Sequence, residues 1–178
     1  LQPVSVVARR LKGLEEAVRR TAEMAERCQV SLPRDLAYHF PDYPVPREET
    51  PLSCLWKFCV AAAQRRYGGL PHRVRERLER EFALMEKHRL AGFFLLYHDL
   101  ARLAGEVMAD LGLRDREVPL EAEPPGRGRG SSVAMLVGYL MGLSHIDPLE
   151  YDLVLERFLP EDRLVKPPDI DLDFPREV

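Results

Sequence analysis

Apolar residues recur at helical spacing through the first two-thirds of the chain. Val7, Leu11, Leu14, Val18 and Met24 form one such stripe and predict a helix over Ser5–Cys28. A second helix is expected to start at Thr50, a capping residue followed by Pro51, and to stop at Gly68-Gly69 after Tyr67. The third follows Pro71, with Val74, Leu78, Phe82 and Met85 on one face and Arg73, Arg75, Arg77, Glu79, Arg80 and Glu81 on a charged one. The fourth, Phe93–Leu111, repeats apolar groups at Phe93, Leu96, Leu100, Leu103, Val107 and Leu111. Such stripes are expected to face a common core. Between the first two helices, LPRDLAYHFPDYPVPREETP holds five prolines in twenty residues and predicts an irregular or extended connection.

The texture changes at Gly112. GLRDREVPLEAEPPGRGRG mixes Pro, Gly and charge, with VPLEA as a candidate short strand, and SSVAMLVGYLMGL reads as a fifth helix. A turn over Ser144–Pro148, a short helical piece around Leu149–Phe158 and the segment PPDIDLDF follow. The expected fold class is therefore α+β, mostly helical with a small mixed sheet. It divides into a helical part over 1–111 and an α/β part over 112–178.

Composition narrows the function classes. Of 178 residues, 46% are hydrophobic and 31% charged, the balance of a soluble globular protein with a core. No apolar run, Ala91–Tyr97 among them, is long enough for a bilayer crossing, so no membrane partner is expected. Cys28, Cys54 and Cys59 are an odd set without a CxxC pair, and the histidines lack HxH or HxxxH spacing. A disulfide scaffold and a histidine metal centre are thus disfavoured, and a reducing cytoplasm is the simpler compartment. LQPVSVVARRLKG has no signal-peptide character. The first Leu and the final PREV read as cuts within a longer chain. The net charge of −3 is unevenly spread, since residues 144–178 carry 4 basic and 10 acidic groups.

Two segments could carry chemistry. In GRGRGSS, Gly126–Ser132, the glycines permit close backbone approach to a bulky anion, and Arg127 and Arg129 supply charge. Ser131 or Ser132 could cap the following helix, whose first N–H groups would complete an anion site. A flexible Gly/Arg linker is the plain alternative. In PPDIDLDF, Asp169, Asp171 and Asp173 alternate with Ile170, Leu172 and Phe174, so a strand would put the carboxylates on one face and the apolar groups on the other. Three such carboxylates repel and need protons, arginines or metal to offset them. Hard oxygen ligands around an open site suit Mg²⁺. The alternative is an acidic, solvated edge strand. Together, a Gly-Ser turn and an acidic strand within about forty residues have the layout of a nucleotidyltransferase.

The string GRGSSVAMLVGYLMGLSHIDPLEYDLVLERFLPEDRLVKPPDIDLDF resembles the palm region of bacterial family C DNA polymerases, the alpha subunit of DNA polymerase III. Upstream, TAEMAERCQVSL, FPDYPVP, RRYGGLP, RERLEREF and AGFFLLYHDLARLA extend the resemblance over nearly the whole chain. It implies a partial polymerase-beta-like nucleotidyltransferase palm. By this resemblance Asp169 and Asp171 are two of three catalytic, metal-binding aspartates, with Asp173 in support, for two Mg²⁺ or Mn²⁺ ions. Gly130 and Ser131, with Arg129, face the phosphates of the incoming dNTP. Arg157, in LERFL, is a further phosphate or structural partner, or equally the partner of a nearby carboxylate. The implied partners are dNTP, primer-template DNA and other replicase subunits in a bacterial cytoplasm.

The chain also departs from the family pattern. The link before the Gly-Ser turn, over 112–127, is longer than the common pattern, as in a divergent, accessory or error-prone branch. The third aspartate and the fingers, most of the thumb and the DNA-gripping modules are expected beyond Val178, leaving this piece inactive alone. Two other readings compete: a stand-alone nucleotidyltransferase drawing its third carboxylate from Glu121 or Glu123, and a helical interaction module without catalysis.

Overall fold

Thr50 opens the largest helical block through a reciprocal cap. Its hydroxyl accepts from the Ser53 amide at 3.1 Å, and the Ser53 hydroxyl accepts from the Thr50 amide at 3.0 Å. Two backbone donors that a helix start leaves free are thereby satisfied, with Pro51 at the first helical position. The computed structural model describes residues 2–29, 42–159, 161 and 168–178. Residues 32–41 of the proline-rich connection expected before Thr50 lie outside the described residues.

The chain divides into two compact units, Leu1–His39 and Phe40–Val178. In the first, the helix expected over Ser5–Cys28 is instead two: α1, Val4–Arg10, and α2, Glu15–Arg27. Gly13, at φ +91°, interrupts them in a conformation that other residues adopt only under strain. The expectation of a core-facing stripe also fails here, because α2 buries none of its residues and leaves Leu14 and Met24 exposed. Its surface is held by Arg19–Glu16, Arg19–Glu23 and Arg20–Glu16 pairs at one-turn spacing.

The second unit is α+β, as the sequence predicts. Three helices supply most of its core: α3, Pro51–Tyr67; α4, His72–His88; and α5, Ala91–Asp110. Gly68 ends α3 in the left-handed region at φ +68°, as the Gly-Gly pair predicts. Leu55, Cys59, Ala62 and Ala63 of α3 meet Val74, Leu78, Phe82 and Met85 of α4 in one buried cluster. Trp56 sets its ring edge-on to Phe82 at 4.9 Å.

Helix α5 departs from its predicted face. Only Phe93 of the expected stripe is buried; Leu96, Leu100, Leu103, Val107 and Leu111 are 40–52% exposed. The helix packs instead through Phe94, Leu95 and the small residues Ala101, Ala104 and Gly105. Small side chains admit close approach: a Cβ on Gly105 would stand 3.3 Å from the Leu120 side chain. A period-3.6 pattern marks the greasiest face, whereas packing here selects the flattest one.

VPLEA forms turns in place of the candidate strand. The long link is nevertheless anchored. Leu120 fits between Gly105 and Gly142, the latter at φ +73° and with room for no Cβ against Leu120. Buried Glu121 pairs with Arg65 of α3, and Arg114 donates to the carbonyls of Asp115, Val118 and Glu123. Among the described residues, no helix is long and apolar enough to cross a membrane.

His98 of α5 stacks on Phe58 at 5.1 Å, and burial pushes its imidazole below the ordinary value of 6.5. The unfolded chain therefore takes up this proton first on acidification. Unfolding free energy is expected to be undiminished by this residue above the ordinary histidine value and to fall as pH drops through it toward the native value. His98→Gln should flatten that part of the stability–pH curve; an identical slope in both proteins would contradict the assignment.

Candidate functional site

GRGRGSS and PPDIDLDF, some forty residues apart, meet in a two-stranded antiparallel sheet. Strand β1, Arg127–Arg129, pairs with β2, Asp171–Asp173, in the register Arg127 to Asp173, Gly128 to Leu172 and Arg129 to Asp171. The alternation predicted for β2 holds. Asp169, Asp171 and Asp173 are exposed, Ile170 is buried and Leu172 packs against the core. Phe174 leaves the pattern, at 37% exposed.

Glycine is required in β1 by what lies beneath it. A Cβ on Gly128 would stand 2.4 Å from the Leu143 carbonyl oxygen, and one on Gly126 would stand 2.8 Å from the Phe174 ring. Gly130 serves differently. Its φ of +73° turns the chain out of β1, and nothing lies within 4 Å of where its Cβ would be. The chain then enters a 3-10 helix, Gly130–Ala134, in which Ser131 is exposed and buried Ser132 donates its hydroxyl to the Arg129 carbonyl at 2.8 Å.

Here the sequence expectation needs correction. SSVAMLVGYLMGL is not one helix. Met135 is extended, at φ −88° and ψ 124°, and separates the 3-10 helix from α6, Leu136–Leu140. The first N–H groups of α6 are not open to an anion either. Glu81 of α4, fully buried, accepts from the Leu136 amide at 2.8 Å and from the Val137 amide at 2.9 Å. Arg77, one turn earlier, donates to Glu81 at 2.7 Å and to the carbonyls of Ala134 and Leu153 at 2.6 and 3.2 Å. Burial pushes the Glu81 carboxyl upward, against the pull of the two amides and the guanidinium.

The sequence pattern puts Glu81 and Arg77 on the charged outer face of their helix, whereas the structure turns both inward. A signal was present, since Glu81 follows Leu78 by three and precedes Met85 by four, within the apolar stripe itself. Helix α6 is fixed from another side by Tyr139, whose hydroxyl bonds to Arg66 while that guanidinium lies 4.8 Å over the ring.

The charges at the strand pair are partly matched. Arg129 Nε lies 2.8 Å from Asp173 Oδ2, an exposed pair worth little to stability but fixing where both side chains point. Among the described residues, Asp169 and Asp171 form no ion pair, and no three His, Cys, Asp or Glu side chains converge as a metal site. Two exposed carboxylates with free hard oxygens fit part of a Mg²⁺ coordination sphere. Arg127 and Gly128 of β1, with Ser144, His145 and Ile146, line a recess of about 430 Å³. Arg157 belongs to a 3-10 turn, Leu155–Arg157, and its side chain lies outside the described residues.

Residues 53–178 match the family model described as the bacterial DNA polymerase III alpha NTPase domain. The chain is 33% identical over 175 residues to an error-prone DNA polymerase of Rhodopseudomonas palustris, covering 98% of this chain and 13% of that protein. It is 34% identical over 174 residues to an error-prone DNA polymerase of Symbiobacterium thermophilum, covering 98% and 14%. Its identity to the DNA polymerase III subunit alpha of Halalkalibacterium halodurans is 36% over 169 residues, covering 92% and 13%. The chain thus spans about one-seventh of the length of these curated relatives.

The two glycines of the turn make separable demands. Gly128→Ala forces a methyl against a backbone carbonyl and is expected to cost about 3 kcal/mol, the upper end for overpacking. Gly130→Ala meets no neighbour and should cost only the left-handed backbone penalty of about 1 kcal/mol. Denaturant unfolding of both variants checks the order, and a costlier Gly130→Ala would contradict it.

Proposed function

The chain belongs to the bacterial DNA polymerase III alpha family, and from that premise we propose that it carries part of the nucleotidyl-transfer site of a DNA-directed DNA polymerase. The observation that carries this reading is the pairing of Arg129 with Asp171. It sets a Gly-Ser turn suited to phosphates directly beside two exposed carboxylates suited to metal.

In this reading Asp169 and Asp171 hold Mg²⁺, or Mn²⁺, together with a carboxylate supplied from outside these 178 residues. When bound there, such ions would supply Lewis-acid stabilisation of the attacking and leaving oxygens of a phosphoryl transfer. The chain's own groups do the positioning. The Gly130–Ser131 turn offers amide hydrogens and a hydroxyl to the β- and γ-phosphates of a dNTP. Arg129 adds positive charge there while Asp173 orients its guanidinium. Arg157 remains a candidate phosphate partner. Asp173, held by Arg129, is a supporting metal ligand at most. Helices α3, α4 and α5 are the scaffold, and 112–178 carries the chemistry. Primer-template DNA and other replicase subunits are the proposed partners of the intact protein, in a bacterial cytoplasm.

A stand-alone nucleotidyltransferase is less well supported, because Glu121, one of its two candidate third carboxylates, is buried against Arg65. The exposed row Leu96, Leu100, Leu103 and Val107 favours some docking role for α5. That role is compatible with catalysis elsewhere.

In the intact polymerase, Asp169→Ala and Asp171→Ala are each expected to slow primer extension about a thousandfold, or about 4 kcal/mol of barrier, with primer-template affinity retained. The 178-residue chain alone should bind Mg²⁺ or Mn²⁺ weakly and extend no primer. Near-normal extension by the double variant would overturn the reading.

A further inference from the structure

Glu81 is a fully buried carboxylate that the proposed chemistry does not use. Burying a charge costs free energy that an apolar side chain of similar volume would not, so its retention calls for a positional reason. The groups it and Arg77 engage supply one. Arg77 grips the Ala134 carbonyl, the last residue of the 3-10 helix, at 2.6 Å, and Glu81 grips the Leu136 and Val137 amides at 2.8 and 2.9 Å. The two side chains therefore clamp both sides of the extended residue Met135. The same guanidinium reaches the Leu153 carbonyl at 3.2 Å, tying in the segment before Leu155–Arg157.

We infer that Arg77 and Glu81 are positioning residues for the phosphate turn, an inference that rests on reading Gly130–Ser131 as that turn. The five-residue stretch Gly130–Ala134 is held at its start by the β1–β2 ladder and the Ser132–Arg129 bond, and at its end by this clamp. With both ends fixed, the direction of the Gly130 and Ser131 amides is fixed before nucleotide arrives, and less ordering is left to be done on binding. Glu81 has a second effect. By occupying the first amides of α6 with a negative charge, it denies an anion the neighbouring N-terminus and confines phosphate to the Gly130–Ser131 turn. Gln at position 81 would keep the size but could accept from only one of the two amides without clash, since its NH₂ group is a donor.

The test is steady-state incorporation by the intact polymerase carrying Glu81→Gln, Arg77→Lys or Ser131→Asp. Glu81→Gln is expected to raise KM for dNTP about tenfold and Arg77→Lys about threefold, with kcat changed less than about twofold and primer-template KM unchanged. A merely structural role would instead lower the folded fraction, and with it kcat, at constant KM. That result in both variants would overturn the inference. Should Glu81→Gln fail to fold, the milder Arg77→Lys decides by the same criterion. Ser131→Asp sets a negative charge on the exposed turn and separates the two levels of argument. If it raises KM for dNTP while the Arg77 and Glu81 variants do not, the clamp is refuted and the turn stands. If none of the three moves KM, the reading of the turn falls and the inference with it.

Discussion

Three ladder positions between β1 and β2 hold the candidate site together. They join segments some forty residues apart, and the Gly-Ser turn and the exposed aspartates sit on them or at their ends. The pairing is short and would be marginal alone. It is supported from beneath, where Gly128 lies so close to the Leu143 carbonyl that no other residue fits, and where Ile170 and Leu172 anchor β2 in the core. Because side chains alternate along β2, anchoring Ile170 and Leu172 forces Asp169, Asp171 and Asp173 outward together. Rigid presentation of carboxylates is thus a consequence of burying their neighbours.

Charge in this region is arranged in two layers with different physics. At the surface, Arg129 and Asp173 form a solvent-exposed pair that steers orientation more than stability. In the interior, Glu81 and Arg77 saturate backbone groups freed by the break at Met135. An extended residue between two helical turns leaves amides and carbonyls without helical partners, and buried ones must find others. The buried pair is the answer to that break, and it holds the end of the Gly130–Ala134 segment through the Ala134 carbonyl.

Much of this was legible in the sequence. The cap at Thr50, the stop at Gly68, the buried face of α4 and the alternation in PDIDLDF all follow from local rules that tertiary contacts left intact. What was not legible depended on contacts between distant segments. The face of α5 is not the one its apolar stripe predicts, because Ala101, Ala104 and Gly105 pack closely where leucines would not, and hydrophobicity alone does not register flatness. The split of SSVAMLVGYLMGL at Met135 requires a carboxylate from Glu81, fifty-four residues earlier, and no local propensity announces it. The candidate site divides likewise: the alternation of the aspartates was readable, whereas the strand Arg127–Arg129, its register with β2 and the clamp behind the turn were not. The 112–127 link is a packed part of the unit once folded, since Leu120 and Glu121 anchor it.

The central claim is that the Gly130–Ser131 turn and the carboxylates of Asp169 and Asp171 surround one metal-nucleotide site. Fe²⁺ replacing Mg²⁺ in the intact polymerase, with ascorbate and peroxide, generates radicals that cut the backbone nearest the bound ion. Cleavage is expected within Gly128–Ser132 and Asp169–Asp173 together, enhanced by dNTP and suppressed by excess Mg²⁺. Cuts confined to one segment, or to neither while Mg²⁺ still protects other positions, would contradict the account.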